Sequence, residues 1–298
     1  MTREKKEIIQ DLMMKAATAR HDLIELTYVS GYSHLGGPLS ACDAATALYH
    51  HFMRFNKDMI HDPQRDRFIL SKGHNGDIIY CILAELGLYP LQELLNEYKQ
   101  FKGRWGEHPN RKYNPGFEIS SGSLGHGLPI AAGMAWMARM DHADYRVFCL
   151  VGDGELQEGS NWEAIMDAGH NQFGNLIAVV DQNQCQGTRL VADTCCSENM
   201  KERWEAFGWN VIDVADGNDM LQVYEAFEKL PSRGVLHAKP TCVLLHTIKG
   251  CGIDFMEDGK AKWHAGGIGD DTRAHCHESV DKKRDAYLAK LDEMGGEA

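Results

Sequence analysis

Five short runs rich in apolar residues constrain the fold most: residues 67–70, 147–151, 176–181, 209–214 and 241–246. Apolar residues in them sit side by side and do not alternate with polar ones. Strands buried on both faces read this way. Helix-period segments at 198–207 and 219–230 separate the last three. Strand followed by helix followed by strand predicts an α/β protein, a parallel sheet with helices on both faces. Further helices are expected at 4–29 (Ile8, Leu12, Ala16, Ala19, Leu23 and Leu26 at helical spacing), 40–52, 75–86, 91–101 and 279–291. A glycine-containing tail, 295–298, should be frayed. With no internal repeat, residues 1–298 are expected to form a single domain.

The segment 151–159, Val-Gly-Asp-Gly-Glu-Leu-Gln-Glu-Gly, follows the second of these strands and precedes a helix-like run at 160–166. Asp153 can give the hard oxygen that Mg²⁺ or Ca²⁺ prefers. Gly152 and Gly154 let the backbone approach phosphate oxygens. The following helix N-terminus presents free N–H groups to an anion. The next strand runs into Asp181-Gln182-Asn183, and Asn183 offers a second, neutral oxygen. Both residues fall beyond the carboxyl ends of strands, where ligands bind in open parallel sheets. The Gly-Asp-Gly triplet alone also fits a bare turn or a calcium loop; the pairing with Asn183 favours a metal that carries a diphosphate.

A net charge of −12 argues against non-specific nucleic-acid binding, although a local site on an acidic protein can still be positive. No run reaches the roughly 18–20 apolar residues of a membrane span. The first residues, Met1-Thr2-Arg3-Glu4-Lys5-Lys6-Glu7, lack an apolar signal core, so a cytoplasmic protein is expected. The nine cysteines are scattered, with no Cys-x-x-Cys pair, and fit reduced, buried thiols. Cys195 and Cys196 are adjacent and poorly placed for a structural staple. Cys276 between His275 and His277 would make only a crowded zinc site.

Two long stretches, 99–123 and 249–271, are rich in glycine and read as functional loops forming a substrate funnel. His34, His74, His108 and His264 each lie near glycine or proline in turn-like surroundings. Imidazole can donate to phosphate or sugar oxygens and move a proton near neutral pH. Lys249 can add positive charge beside an anion or be an ordinary solvated lysine. Glu158 can be an acid favoured by a helix N-terminus.

Taken together, these motifs resemble the N-terminal half of a transketolase, more closely the N-terminal subunit of split transketolases in which two genes encode the two halves. Ser33-His34-Leu35-Gly36-Gly37 is similar to Gly-His-Pro-Gly-Gly. Asp66-Arg67-Phe68-Ile69-Leu70-Ser71-Lys72-Gly73-His74 matches closely. Glu107-His108-Pro109 resembles Gly-His-Pro, and Gly122-Ser123-Leu124-Gly125-His126-Gly127 resembles Gly-Ser-Leu-Gly-Gln-Gly. Gly152 to Gly159, Asp181-Gln182-Asn183, Thr247-Ile248-Lys249-Gly250-Cys251-Gly252 and Trp263-His264-Ala265 follow in the same order. Ser33, Leu35, His126, Gln184 and Ala265 depart from the family pattern, which leaves the substrate open.

The resemblance implies a thiamine-diphosphate enzyme whose chain carries the diphosphate-binding domain. Asp153, Asn183 and the Cys185 carbonyl would hold Mg²⁺ (or Ca²⁺ or Mn²⁺). His74, Gly122, Ser123, Leu124, Gly154, Glu155, Asn183 and His264 would contact the cofactor. His34, His108 and His264 would contact substrate, with His34 and His264 also catalytic. Glu158 would lie at a dimer contact and couple two active sites. The implied reaction moves a two-carbon ketol unit from a ketose phosphate, or a related anionic sugar such as a sulfonate, to an aldose. It needs a partner, a C-terminal transketolase subunit with the pyrimidine-binding and C-terminal domains, in an expected heterotetramer. No nucleic acid or membrane partner is expected. The alpha subunit of a 2-oxo-acid dehydrogenase and a non-catalytic regulatory subunit with the same fold are the alternatives.

Overall fold

The computed structural model describes residues 1–187, 189–195, 198–258 and 261–295. In chain order the elements are α1 (Arg3–Ser30), β1 (Ser33–His34), α2 (Gly36–Ala47), β2 (Arg67–Leu70), α3 (Gly76–Glu85), α4 (Leu91–Glu97) and α5 (Gly127–Met140). They continue with β3 (Val147–Gly152), α6 (Gly159–Asn171), β4 (Leu176–Gln182), β5 (Cys185–Gln186), β6 (Arg189–Leu190) and α7 (Met200–Ala206). Last come β7 (Asn210–Val214), α8 (Met220–Phe227), β8 (Thr241–His246), β9 (Ala265–Gly266) and α9 (Asp270–Gly295).

The five predicted strands form one sheet, in the order β2-β3-β4-β8-β7, and every pairing in it is parallel. Strand side chains alternate between the two faces, and each face has its own core. Phe68, Leu70, Phe148, Leu150, Ile177, Val179, Val243 and Leu245 pack with α1, α2, α3 and α8. Ile69, Val147, Cys149, Val151, Leu176, Ala178, Val180, Cys242 and Leu244 pack with α5, α6 and α7. That is why β2, β3, β4 and β8 show no polar alternation: neither face meets water, whereas the edge strand β7 is partly exposed.

Outside the central sheet the expectations need correction. The helix expected at 40–52 starts four residues earlier, at Gly36, and passes into a π turn at Leu48–Phe52. The Gly36-Gly37-Pro38 start reads as a loop, yet it is a close contact: a Cβ on Gly36 would lie 2.7 Å from Lys249 Cγ, and one on Gly37 2.7 Å from Asn75 Oδ1. The helix expected at 91–101 stops at Glu97, and Phe101 is 93% exposed. Helix α5 was not expected from sequence, because Gly127, Pro129 and Gly133 mask it. It buries small alanines, Ala131, Ala135 and Ala138, against the sheet. The closing helix is α9, longer than 279–291 and lying along α1, where Arg273 forks onto Glu25 at 2.8 and 2.6 Å.

The 99–123 stretch contains neither helix nor strand. The 249–271 stretch holds short 3-10 turns at Asp254–Met256 and Ala261–His264, then β9, which pairs antiparallel with β1. A second two-residue ribbon joins β5 to β6. Cys276 is fully buried, whereas His275 pairs with Asp254 and His277 with Glu25, so the zinc arrangement does not form. Among the described residues no three His, Cys, Asp or Glu side chains are grouped to hold a metal. None of the described helices is long and apolar enough to cross a membrane. Cys196, Gly259 and the tail from Gly296 lie outside the described residues.

Phe148 lies fully buried in the middle of the sheet. Phe148→Ala is expected to lower the unfolding free energy by about 3–5 kcal/mol, measured by urea titration, because it leaves a cavity between β3 and the helices above it.

Candidate active site

The parallel register sets Gly152 opposite Asp181, so Asp153 and Asn183 leave the sheet side by side. Behind them Asp181, 1% exposed, collects hydrogen bonds from several elements. It accepts from Lys72 Nζ, which follows β2, and from Thr247 Oγ1, which follows β8. It also accepts from Ser40 Oγ on α2 at 2.6 Å and from Asn183 Nδ2 at 3.2 Å. Asn183 Nδ2 gives its other hydrogen to Ser40 Oγ at 3.1 Å. With both amide hydrogens used, the orientation of Asn183 Oδ1 as an acceptor is fixed.

Asp153 Oδ1 accepts from the Gly154 N–H at 2.8 Å and Oδ2 from the Gln184 N–H at 2.6 Å. Burial, and then the charge of Asp181, push the Asp153 carboxyl up to about 7, against the pull of those two N–H groups. A divalent cation at this point would reverse that shift, since an adjacent positive charge favours the ionised form. Cys185 lines the same cleft.

The cleft has a volume of about 490 Å³ and opens beyond the carboxyl ends of the strands. His34, His74, His108, His264, Lys72 and Lys249 line it. The rings of His34, His74 and His264 form a triangle with centroids 5.0–5.4 Å apart. Burial, then Lys72 and the neighbouring histidines, lower the His74 pKa to about 2. Burial, then Lys249, lower that of His264 to about 4. Both rings are neutral at neutral pH. Lys249 is buried, 3% exposed, which excludes the solvated reading, and its Nζ lies 3.0 Å from His264 Nδ1. An ammonium only donates, so His264 Nδ1 accepts and the ring proton sits on Nε2.

Glycines let the walls close up. A Cβ on Gly154 would lie 2.7 Å from Gln186 Cβ, and one on Gly122 3.4 Å from His108 Cδ2. Leu124 also lines the cleft, whereas Ser123 is exposed. Glu155 lines the cleft, with its carboxylate accepting from the Gly152 N–H at 3.0 Å, the Gly125 N–H at 2.9 Å and Ser71 Oγ at 2.5 Å. Glu158 is exposed at the rim, its Cβ against Gly125, and its side chain makes no cap hydrogen bond to α6.

Sequence reasoning passed over Lys72, Asp181, Ser40 and Thr247 as site residues. Lys72 and Asp181 lie within the recognisable motifs, one two residues before His74 and the other two residues before Asn183. Thr247 opens the recognisable Thr247-Ile248-Lys249-Gly250 motif, whereas nothing local marks Ser40.

Residues 15–287 match the family described as transketolase, thiamine diphosphate binding domain. The chain belongs to the transketolase family. It is 36% identical over 258 residues to an apulose-4-phosphate transketolase subunit of Phocaeicola vulgatus, covering 87% of this chain and 89% of that protein. It is 36% identical over 254 residues to the 6-deoxy-6-sulfo-D-fructose transketolase subunit SqwG of Clostridium sp. strain MSTE9, covering 85% and 90%. Among solved structures, Pichia stipitis transketolase in complex with sedoheptulose-7-phosphate superposes with a TM-score of 0.80 at 27% identity. That match covers 96% of this chain and 45% of the other, so the chain spans less than half of that transketolase. The transketolase family uses thiamine diphosphate and a divalent metal, and the residues present fit both. A buried carboxylate whose ionisation a cation would favour, an oriented amide oxygen and glycine-lined walls with two lysines are what a metal diphosphate requires.

Two measurements follow. The Asp153 carboxyl is a weaker acid in the folded chain than in the unfolded one. It therefore costs stability increasingly as pH rises from about 4, its unfolded range, to about 7, its folded value. Metal-free Asp153→Asn should be more stable than the parent by on the order of 2 kcal/mol at pH 8 and equal to it at pH 4, read by urea unfolding. Asp181→Asn, which strands the buried Lys72 ammonium, should cost about 3–5 kcal/mol at neutral pH in the same assay.

Proposed function

We propose that this chain is the N-terminal, cofactor-holding subunit of a two-chain transketolase. It would transfer a two-carbon ketol unit from a ketose phosphate or sulfonate to an aldose, in the cytoplasm. The observation that carries this reading is the convergence of Asp153 and Asn183 with His34, His74 and His264 in one cleft. Asp153, Asn183 and the Cys185 carbonyl would hold Mg²⁺. His74, Lys249, the Gly154 N–H and the Gly122-Ser123-Leu124 backbone would hold the diphosphate and the ring system. Bound thiamine diphosphate would supply the electron sink for breaking a carbon–carbon bond beside a carbonyl.

The neutral histidines do the rest. His264 presents an Nε2–H to a carbonyl or hydroxyl oxygen. His34 and His108 contact further sugar oxygens. Because burial holds His34 and His264 toward the neutral form, they can exchange hydrogen bonds and protons with hydroxyl groups instead of fixing an anion. Cys42, Cys81, Cys149, Cys195, Cys242, Cys251 and Cys276 are free of disulfides, which supports a reducing compartment.

The same reading makes residues 1–298 a single diphosphate-binding domain that needs a C-terminal subunit with the aminopyrimidine site, in a heterotetramer. Two features support a partner. The cleft rim at Ser123, Leu124 and Glu158 is exposed, and an exposed apolar strip of Ile130, Trp136, Met137 and Met140 runs on along α5. The Phocaeicola and Clostridium relatives are themselves called subunits. Glu158 would then face a second copy of the site.

Calorimetry with thiamine diphosphate and Mg²⁺, on the chain alone and with a C-terminal transketolase subunit, tests this. Ketol transfer is expected only in the mixture. Asp153→Ala should weaken metal-dependent cofactor binding at least about 100-fold, more than loss of an outer-shell partner costs. A folded chain that binds no cofactor in either setting would sink the proposal.

A further inference from the structure

We propose that Glu107, backed by Lys99, is a positioning residue for His34: it holds the ring proton on Nδ1, so that Nε2 offers a lone pair to a hydroxyl of the sugar. This deepens the transketolase reading and rests on it. Glu107 stands where the family's Gly-His-Pro motif has glycine, so the device belongs to this chain and not to the family pattern.

The geometry is built from two walls of the cleft. His34 sits in the two-residue strand β1, pinned to β9 by the pairs Ser33 with Gly266 and His34 with Ala265. Glu107 comes from the 99–123 loop on the opposite side. His34 Nδ1 lies 2.5 Å from Glu107 Oε1; both atoms are buried, and the contact is not aligned as a hydrogen bond, so each is without a hydrogen-bond partner. A carboxylate only accepts, so a hydrogen on Nδ1 would satisfy both atoms with a small rotation, where a bare Nδ1 would set two lone pairs against each other. Lys99 Nζ stands 3.3 Å from the same carboxylate oxygen and is itself fixed by the Tyr32 carbonyl at 2.8 Å.

The surrounding charges agree. Burial pushes the Glu107 carboxyl up, but His34, Lys99 and His108 outweigh it and hold it below the usual carboxylate value. Burial lowers the His34 pKa, with Lys99 and His108 adding to it and Glu107 opposing. The other faces of the ring meet His74 and His264, and behind those stand Lys72 and Lys249. His34 is thus neutral but not indifferent to its tautomer.

His264 has the opposite arrangement, since Lys249 donates to its Nδ1 and leaves the proton on Nε2. Two neighbouring rings, 5.0 Å apart, therefore present one acceptor and one donor. An α-hydroxy carbonyl group matches this pair: its carbonyl oxygen takes the His264 hydrogen, and its hydroxyl gives a hydrogen to His34. The carboxylate of Glu107 also disfavours an anionic group beside His34, so the phosphate or sulfonate end of the sugar must lie away from this wall.

Long-range ¹H–¹⁵N spectra of the histidine-labelled full chain, with ketol-transfer kinetics of the two-chain complex, test the assignment. The parent should show His34 with its proton on Nδ1. Glu107→Gln should abolish that preference and lower the His34 pKa by about one unit; Lys99→Met should raise it. In the complex, Glu107→Gln should raise KM for the ketose about tenfold and move the acid limb of kcat/KM to lower pH, with cofactor affinity unchanged. A His34 spectrum that shows Nε2–H in the parent, or that is unaltered by Glu107→Gln, overturns the assignment whatever the kinetics do. A parent complex without ketol transfer sinks the transketolase reading instead, while the spectra still decide whether Glu107 sets the His34 tautomer.

Discussion

The buried Asp181 carboxylate is the point on which the site depends. Four groups converge on it: the Lys72 ammonium, the Ser40 and Thr247 hydroxyls and the Asn183 amide. They come from the ends of β2, β4 and β8 and from α2, so one anion locks the carboxyl edge of the sheet to a covering helix. A buried charge of this kind is tolerated because it is paired and fully hydrogen-bonded. It has two consequences outside itself. It aims Asn183 Oδ1, and its charge, after burial, raises the pKa of the neighbouring Asp153. The site is thus electrostatically prepared for a metal diphosphate.

A second layer of order concerns protons. Lys249, Glu107 and Lys99 are charged groups set against the histidines, and Lys249 itself lines the cleft. Burial keeps the rings neutral, and the charges behind them decide which nitrogen carries the hydrogen. Charge is therefore used for orientation and not to attract the sugar. A cleft built this way reads hydroxyl and carbonyl groups. The Arg20–Asp43 pair, at 2.6 and 2.9 Å, serves a similar structural purpose deeper down, joining α1 to α2 beneath the 249–271 loop through the Cys251 carbonyl.

The central strands were legible because each is buried on both faces, and such strands must be continuously apolar. Their predicted bounds differ from the observed ones by no more than a residue. The helices were less legible where small residues carry the packing. Helix α5 buries alanines and glycine, which give no periodic apolar signal, and α2 begins at a Gly-Gly-Pro that reads as a turn. In the site, Asp153, Asn183 and the histidines were legible because they sit in motifs at strand ends. Ser40 was not, because a lone hydroxyl carries no local mark of the carboxylate it will meet, and Thr247 lies in a motif that does not reveal that partner.

By itself, then, the sequence determined the α/β class, the strands, the placing of Asp153 and Asn183 at strand ends and the transketolase resemblance, because each is written in contiguous residues. Only the tertiary structure decided the strand order, with β8 inserted between β4 and β7, since spacing along a chain does not specify neighbours across a sheet. It also decided that Lys249 is buried, that Asp181 is the hub and that Glu107 faces His34. Those facts depend on residues far apart in the chain meeting in a low-dielectric cleft, where distance in space, and not in sequence, sets the interaction.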